Sequence, residues 1–336
     1  MNFDLFGARQ VEKTERLGIP YMGSKRKHAD KLIDKILELK PNAKYFYDLF
    51  GGGGAMSFAA LQKGMTVFYN EKQTDLVRLM EYVFECVNNP KSEYGIFPAE
   101  YYHFITRDEF IRLKEESGTY AQFARICYSF GNNQRTYLFN KELEVTKMLS
   151  HNVVVFRDAE SLRVLRDILG VELSLSDAKT INERRLDFRK TIRKSMRLDL
   201  QQLERLQQLQ QLERLQQLQQ LEQLERLQQL QQLEQLERLE RLEQKITFTN
   251  LDYRDVKITT PIDETIVYLD PPYRGTEKYI EGIDHDELDE FFRSLPYLAF
   301  MSEYNAPFNC ILDIKTTSTL SDKVRSSKIE RLYVNK

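Results

Sequence analysis

Short apolar runs alternate with amphipathic stretches along the first quarter of the chain. Apolar residues recur at helical spacing between Ala29 and Leu39, and Pro41 ends this pattern, so a helix is predicted there. The strand, helix, strand and helix that follow are predicted at 45–50, 55–63, 66–71 and 74–87. This order, with four glycines after the first strand, is typical of a nucleotide-binding βαβ unit.

The rest of the chain divides into a helical middle and a strand-rich end. The segment 90–197 has mostly helical patterns, and the apolar run 153–156 is its one strand-like stretch. Strand patterns return at 245–253, 264–273, 297–304 and 329–335, with a helix pattern at 284–295. We therefore predict an α/β fold with a Rossmann-like parallel sheet, which is built from 21–88 and 245–336 and interrupted by a helical insertion.

The segment 198–244 is a low-complexity repeat of Leu, Gln, Glu and Arg. Leucine occupies every third position from Leu200 to Leu242. These residue types favour helix, so a long helix of roughly 60 Å is predicted. A period of 3.0 winds the leucines around such a helix and gives no single seam, which argues against a stable heptad coiled coil. We interpret the repeat as a helical spacer whose length is free to vary.

Composition limits the classes of function. The formal net charge is −2, so any surface for nucleic acid must be a local patch. The three cysteines and four histidines show no spacing typical of a zinc site or a disulfide framework, so no metal is expected. No stretch approaches the ~20 apolar residues of a membrane span, and the first residues lack a signal-peptide pattern. These features predict a cytoplasmic protein without a membrane segment.

The glycine run 51–54 and Glu71 together indicate a cofactor that contains adenosine. Glycines after a strand let the backbone approach a ligand, and the following helix start offers free N–H groups. No Gly-Lys-Ser/Thr follows the glycines, so a P-loop is not predicted. An acid at the end of the second strand is where a ribose diol is held. Taken alone, each feature also fits a structural turn or a surface carboxylate.

The tetrapeptide DPPY at 270–273 indicates the reaction. It follows the apolar run TIVYL, so we expect it at the carboxyl edge of the sheet. Pro271 and Pro272 stiffen the turn and remove N–H donors, which leaves the Asp270 carboxylate and the Pro271 carbonyl as acceptors for an amino group. Such acceptors align an amine lone pair on a sulfonium methyl, and Tyr273 offers a face on which a base stacks. By itself, Pro-Pro also fits a plain turn.

The order of these motifs resembles the Dam-like family of DNA adenine-N6 methyltransferases of the DPPY type. That family has FxGxG, then a target-recognition insertion, then DPPY; here these are 50–54, 90–244 and 270–273. Similar segments are YMGSKRK (21–27), NLDY (250–253) and SEYNAP (302–307). The resemblance implies S-adenosylmethionine as cofactor, double-stranded DNA as partner and a flipped adenine at DPPY. The cofactor contacts it implies are Tyr21, Gly23, Lys25, Asp48, Phe50, Gly52, Gly54, Glu71 and Asp252.

Several alternatives stay open at this point. Lys25 fits a contact to a DNA phosphate equally well. A cytosine-N4 or RNA amino-methyltransferase is a rival enzyme, and Asp rather than Ser or Asn at position 270 favours adenine. A catalytically silent DNA-binding scaffold is the rival from another class, against which the intact DPPY and Glu71 argue. The sequence leaves open the target site, a cognate restriction endonuclease as partner and the oligomeric state.

Two stretches of the insertion are candidates for DNA contact. The first is a ridge of arginines spaced four apart on a predicted helix: Arg185, Arg189, Arg193 and Arg197. Such a ridge suits several phosphates, although a solvated helix face has the same pattern. The second stretch, SFGNNQR, contributes Asn132, Asn133 and Arg135, whose side chains are able to read base edges. Plain turn residues explain this stretch as well.

Overall fold

The computed structural model describes most of the chain as two compact units. The described residues are 19–21, 23–89, 91–95, 97–203, 245–275, 283–321 and 324–336. Unit 1 comprises Met1–Ile19, Gly23–Glu81 and Arg241–Lys336, and unit 2 comprises Pro20–Met22 and Tyr82–Glu240. The long helix expected for the repeat lies outside the described residues beyond Leu203.

Unit 1 contains a seven-stranded sheet. Its strands are β1 (Tyr45–Asp48), β2 (Thr66–Asn70), β3 (Ile246–Thr249), β4 (Thr265–Leu269), β5 (Leu298–Glu303), β6 (Asn309–Ser321) and β7 (Val324–Val334). Their order across the sheet is β3-β2-β1-β4-β5-β7-β6. The first five are parallel to their neighbours, whereas β7 runs antiparallel to β5 and β6. The strand order reverses between β1 and β4, which is where Rossmann-like sheets bind ligands at the carboxyl ends of the strands.

The central strands are apolar because both of their faces are covered. All five residues of β4 are buried, which explains the continuous apolar run of its sequence. On one face, Tyr47, Val267 and Met301 belong to a core cluster with Leu288 and Phe292 of the helix His285–Ser294. The sheet that positions the site is therefore held by burial of its middle strands.

The first three described helices and the last one lie where the sequence predicts a helix. The helices in chain order are α1 (Ala29–Leu39), α2 (Ala55–Gln62), α3 (Thr74–Asn88), α4 (Arg107–Lys114), α5 (Thr119–Cys127), α6 (Lys141–Phe156), α7 (Ala159–Leu169), α8 (Ile181–Leu203) and α9 (His285–Ser294). In α1, the predicted apolar face is buried at Leu32, Ile33 and Ile36. The helices α4 to α8 belong to unit 2, and the helical insertion expected at 90–197 stays a prediction.

Two sequence-based predictions about strands are wrong. The apolar run 153–156 is the last turn of α6, where Val153, Val154 and Val155 are buried. Packing inside unit 2 thus overrides the strand preference of valine. The sheet is also not wholly parallel, because β6 was not predicted and the last strand pairs with it in an antiparallel hairpin. The segment 315–328 is rich in Thr, Ser and Lys, so no apolar run marked this hairpin.

Candidate active site

The expected functional acids gather at one edge of the sheet in unit 1. Asp48 ends β1, Glu71 follows β2, and Asp270 follows β4. Because β1 lies between β2 and β4 and all three are parallel, their carboxyl ends share one edge. The strand order therefore brings together residues that are far apart in the sequence.

The glycine run forms a tight turn between β1 and α2. Gly52 and Gly54 adopt positive φ angles of 49° and 74°. A Cβ atom at Gly51 would lie 2.1 Å from the Tyr69 ring, so only glycine fits there. The Gly52 N–H donates to a Glu71 carboxylate oxygen at 3.1 Å, which ties the turn to the end of β2. The turn thus owes its glycines to backbone conformation and close packing.

Glu71 is half-buried and bound by backbone N–H groups. Its Oε1 accepts from the Gln73 N–H at 3.0 Å, while Oε2 accepts from Gly52. Burial raises the pKa of Glu71, although these hydrogen bonds oppose that shift. Each carboxylate oxygen has a second lone pair, so Glu71 keeps acceptor capacity for a ligand.

Asp48 carries a buried oxygen that has no partner within the described residues. The residue is 1% exposed, and its Oδ2 accepts from the Ser57 hydroxyl at 2.7 Å. Its Oδ1 has no hydrogen-bond partner among the residues that the structure describes. Burial raises the pKa of Asp48 to about 7. An unsatisfied buried acceptor is costly, so it points to a donor on a bound ligand.

The loop after β3 places aromatic and charged side chains beside the glycine turn. The Phe50 and Tyr253 rings lie 5.1 Å apart. Asp252 pairs with Arg254 at 2.8 Å and lies 3.6 Å from Lys72. The pKa of Asp252 is lowered, mainly by its hydrogen bond with Arg254. Arg254 thus binds the Asp252 carboxylate, which the family resemblance implies as a cofactor contact.

The Asp270 carboxylate is held by Lys25. The Lys25 Nζ atom lies 2.7 Å from Oδ1 and 2.8 Å from Oδ2 of Asp270. The same Nζ lies 2.8 Å from a carboxylate oxygen of Glu330 and 3.2 Å from the Gly23 carbonyl. Lys25 is 4% exposed, so the alternative of a DNA-phosphate contact on the surface does not fit its position. Asp270 keeps 19% of its side chain exposed and can be reached by a ligand.

The charges in this cluster shift each other's pKa. Burial alone would lower the pKa of Lys25, but the carboxylates of Asp270 and Glu330 outweigh it and raise that pKa. Burial raises the pKa of Asp270 to about 6, although Lys25 opposes the shift. At neutral pH, Lys25 is therefore charged, and the Asp270 carboxylate is mostly charged yet readily protonated.

Tyr273 stands next to this ion pair. Its hydroxyl donates a hydrogen bond to Glu330, and its ring centroid lies 4.8 Å from the Lys25 Nζ. The Tyr304 ring meets it edge-on, with the centroids 4.7 Å apart. A cavity of about 410 Å³ opens beside Tyr304, lined also by Arg274, Asn305, Ala306 and Pro307. The segment SEYNAP, singled out in the sequence, therefore lines one open space together with Arg274, the residue directly after DPPY.

Glu330 is a residue of this cluster that the sequence did not single out. It lies within the final strand, whose apolar pattern predicts a strand but no functional side chain. Tyr304 follows β5 within SEYNAP, a segment that the sequence singled out without a role for this tyrosine. Tyr21, by contrast, was expected to bind cofactor and belongs to the short segment Pro20–Met22 of unit 2, so its role stays a prediction.

In unit 2, the predicted base-reading residues form a turn. The Asn132 side chain donates to the Ile126 carbonyl at 2.9 Å. The Asn133 side chain accepts from the backbone N–H groups of Arg135 and Thr136 at 2.9 and 3.0 Å. Both asparagines therefore have turn-forming roles. Arg135 is exposed, and so is Phe130 at 55%.

The predicted arginine ridge of α8 begins at a buried residue. Arg185 is 3% exposed and, with Arg189, lines a cavity of about 10 Å³ beside Ser150 and His151 of α6. The prediction of an exposed phosphate-binding ridge is therefore wrong for Arg185, because this face of α8 packs inside unit 2. Arg193 lies on the same helix, and its contact with DNA stays a prediction.

Within the described residues, no group of three or more His, Cys, Asp or Glu side chains could hold a metal ion. In the same part of the chain, no helix is long and apolar enough to cross a membrane.

Comparison with known proteins identifies the family. No curated protein matches the chain. A family model described as D12 class N6 adenine-specific DNA methyltransferase matches residues 21–169 and 187–327. The match includes the glycine turn, Glu71 and DPPY, and it confirms the predicted family over the cytosine, RNA and scaffold alternatives. Because it covers most of the chain, the chain belongs to the D12 class N6 adenine-specific DNA methyltransferases, enzymes that transfer a methyl group to adenine N6 in DNA.

Proposed function

We propose that unit 1 binds S-adenosylmethionine at the carboxyl ends of β1 and β2 and receives a flipped adenine of duplex DNA at Asp270. The observation that carries this proposal is the Asp270 carboxylate, which Lys25 holds at the end of β4 while part of it stays exposed. β4 is the direct neighbour of β1, whose last residue is Asp48. Methyl donor and acceptor would therefore occupy adjacent strand ends.

The side chains at the ends of β1 and β2 fit S-adenosylmethionine. The unsatisfied Oδ1 of Asp48 suits a cationic N–H donor, such as the amino group of the methionine part. The remaining lone pairs of Glu71 suit the two ribose hydroxyls. Phe50 and Tyr253 offer aromatic surface for the adenine ring. When bound, the cofactor supplies an activated methyl group on a sulfonium sulfur.

Asp270 and the Pro271 carbonyl would accept hydrogen bonds from the adenine amine and orient its lone pair towards the methyl carbon. The new N–C bond uses that lone pair, and the electrons of the broken S–C bond stay on sulfur. The Asp270 carboxylate accepts the proton that the nitrogen loses. Its pKa of about 6 suits this task, because the group is mostly charged at neutral pH yet basic enough to take a proton.

We also propose that unit 2, which contains the insertion, contributes target recognition. The exposed side chains of Arg135 and Phe130 at one turn support this role. An arginine can bind phosphate or a base edge, and an apolar ring can insert between base steps.

The test of the active-site proposal is Asp270→Asn. Asparagine keeps the size of the side chain but cannot take a proton, so we expect methyl transfer to duplex DNA to fall by about 10³-fold. Transfer of radiolabelled methyl groups measures this rate, and calorimetry measures cofactor affinity, which should change little. Asp313→Asn is the matched control, because Asp313 pairs with Arg331 on the exposed side of the hairpin. A wild-type rate in Asp270→Asn would show the proposal to be wrong.

A further inference from the structure

We propose that Glu330 is a positioning residue for methyl transfer, because it shares the Lys25 ammonium with Asp270 and holds the Tyr273 hydroxyl. In this way it keeps Asp270 a strong acceptor for the adenine amine. The inference rests on the proposed placement of that amine at Asp270. Glu330 lies outside both segments that match the family, whose second segment ends at residue 327.

The geometry places one carboxylate oxygen at the centre of the cluster. Glu330 lies on β7, opposite Ile314 of β6, and is buried. Its Oε1 is 2.8 Å from the Lys25 Nζ and also accepts the Tyr273 hydroxyl. This single atom thus contacts both side chains that flank Asp270. A purely structural salt bridge would not require contact with the Tyr273 hydroxyl.

The charge of Lys25 is divided between two carboxylates. An ammonium has three N–H donors, and the Lys25 Nζ lies within hydrogen-bond distance of Asp270, Glu330 and the Gly23 carbonyl. Without the Glu330 charge, the whole ammonium would act on Asp270 and weaken it as an acceptor. The pKa shifts of Glu330 and Asp270 agree with this sharing of the Lys25 charge. Burial raises the pKa of Glu330, but Lys25 and Tyr273 outweigh it and lower that pKa, so Glu330 stays charged while Asp270 titrates near pH 6.

Other titratable groups lie near Asp270 and Glu330 and influence the pH dependence of this pair. Asp48 and Glu303 interact electrostatically with Asp270, and Asp48, whose pKa is about 7, is mostly protonated near pH 6. His28 faces Glu330. The Tyr268 and Tyr304 hydroxyls have pKa values above the ordinary value and stay neutral. Burial is the main cause that lowers the pKa of His28, and the neighbouring charge of Glu330 opposes this shift. Asp270 has a pKa of about 6 and shares the Lys25 ammonium with Glu330, so a shift of the acid limb on changing Glu330 is assigned to Asp270.

Glu330→Gln separates charge from hydrogen bonding. Glutamine still accepts from Tyr273 but carries no charge. We expect kcat to fall about three- to tenfold with little change in KM for DNA, and the acid limb of the kcat profile to move to lower pH by about one unit. Tyr273→Phe should move that limb to higher pH, because the Tyr273 hydroxyl lowers the pKa of Asp270. Asp313→Asn, on the same hairpin, should keep wild-type kcat and pH profile.

Glu330→Asp covers the case in which the glutamine variant does not fold. Aspartate keeps the charge, so the acid limb should stay at its wild-type pH while kcat falls. If this limb moves by about one unit as well, the charge argument is overturned. A wild-type kcat and limb in Glu330→Gln, together with an inactive Asp270→Asn, would overturn the role of Glu330 alone. An active Asp270→Asn would instead overturn the proposed function.

Discussion

Two buried lysines, one in each unit, have opposite pKa shifts. Lys25 in unit 1 is 4% exposed and Lys147 on α6 of unit 2 is 1% exposed. Lys25 contacts two carboxylates, and its pKa is raised. The Lys147 Nζ has no hydrogen-bond partner among the described residues, and burial together with Arg189 lowers its pKa to about 8. Similar burial thus gives opposite shifts, because neighbouring charges decide the outcome.

The same contrast extends to other buried groups of the two units. In unit 1, Asp48 and Asp270 have pKa values raised to about 7 and about 6. In unit 2, burial lowers the pKa of His151 to about 4, so this imidazole is neutral and binds the Tyr102 carbonyl. Unit 1 thus collects groups that titrate near neutral pH at one sheet edge, as expected of a reactive site.

Lys25→Met should produce the largest effect, because it leaves two carboxylates without their cation. Removing one partner of a buried ion pair costs about 3–5 kcal/mol of unfolding free energy. Urea unfolding at pH 8 measures this loss, which should shrink at pH 5 because Asp270 is then protonated in the folded variant. We also expect methyl transfer to fall by about 10²-fold or more. A variant as stable as the wild type at pH 8 would contradict the pairing.

Lys147→Met is the matched change in unit 2. It should raise the free energy of unfolding, whereas Lys25→Met should lower it. The folded pKa of about 8 lies below the ordinary value of 10.5. Below pH 8 the charged, buried amine destabilises the fold, so the methionine variant should be more stable by on the order of 2 kcal/mol. Wild-type stability should rise between pH 8 and 10.5, because the unfolded chain then holds more protons, and the variant should lack this rise. If the stability of the wild type and of the variant depends on pH in the same way, the lowered pKa of Lys147 is contradicted.

The pH dependence of methyl transfer should show the titration in unit 1. Asp270 must be charged to accept the amine proton, so kcat at saturating cofactor should be constant above its pKa of about 6 and fall about tenfold per pH unit below it. Asp48 should act separately, because its protonation near pH 7 would weaken cofactor binding and raise KM for the cofactor. A flat kcat profile from pH 5 to 8 would exclude Asp270 as the acceptor.

Phe130→Ala should have the smallest effect and act on DNA affinity alone. Phe130 is 55% exposed beside Arg135, so its loss should leave the melting temperature unchanged. We expect the Kd for duplex DNA to rise about tenfold at fixed salt if the ring inserts between base steps. Fluorescence anisotropy measures Kd, and Ile111→Ala, which removes an equally exposed side chain at 56%, is the control. An equal change of Kd in Phe130→Ala and Ile111→Ala would exclude a specific role of Phe130 in DNA binding.

The sequence by itself determined the sheet edge and the reaction. The glycine run, Glu71 and DPPY each follow an apolar run, and the carboxyl ends of parallel strands meet at one edge. Local rules such as strand length, glycine φ angles and proline stiffness were sufficient to predict the sheet edge and an amine as methyl acceptor, whereas adenine was implied by the family resemblance. The family match then confirmed the resemblance that these motifs carry.

Only the tertiary structure decided which side chains surround Asp270 and which arginines are buried. Lys25 contacts Asp270 across 245 positions of the chain. Glu330 lies on the predicted last strand, but its antiparallel pairing with β6 was not predicted. The sequence likewise predicted Arg185 on an exposed basic face, whereas in the structure it packs beside Ser150 and His151 of α6. Periodicity reports local conformation, whereas ion pairing and burial depend on residues that are distant in sequence and become neighbours only when the chain folds.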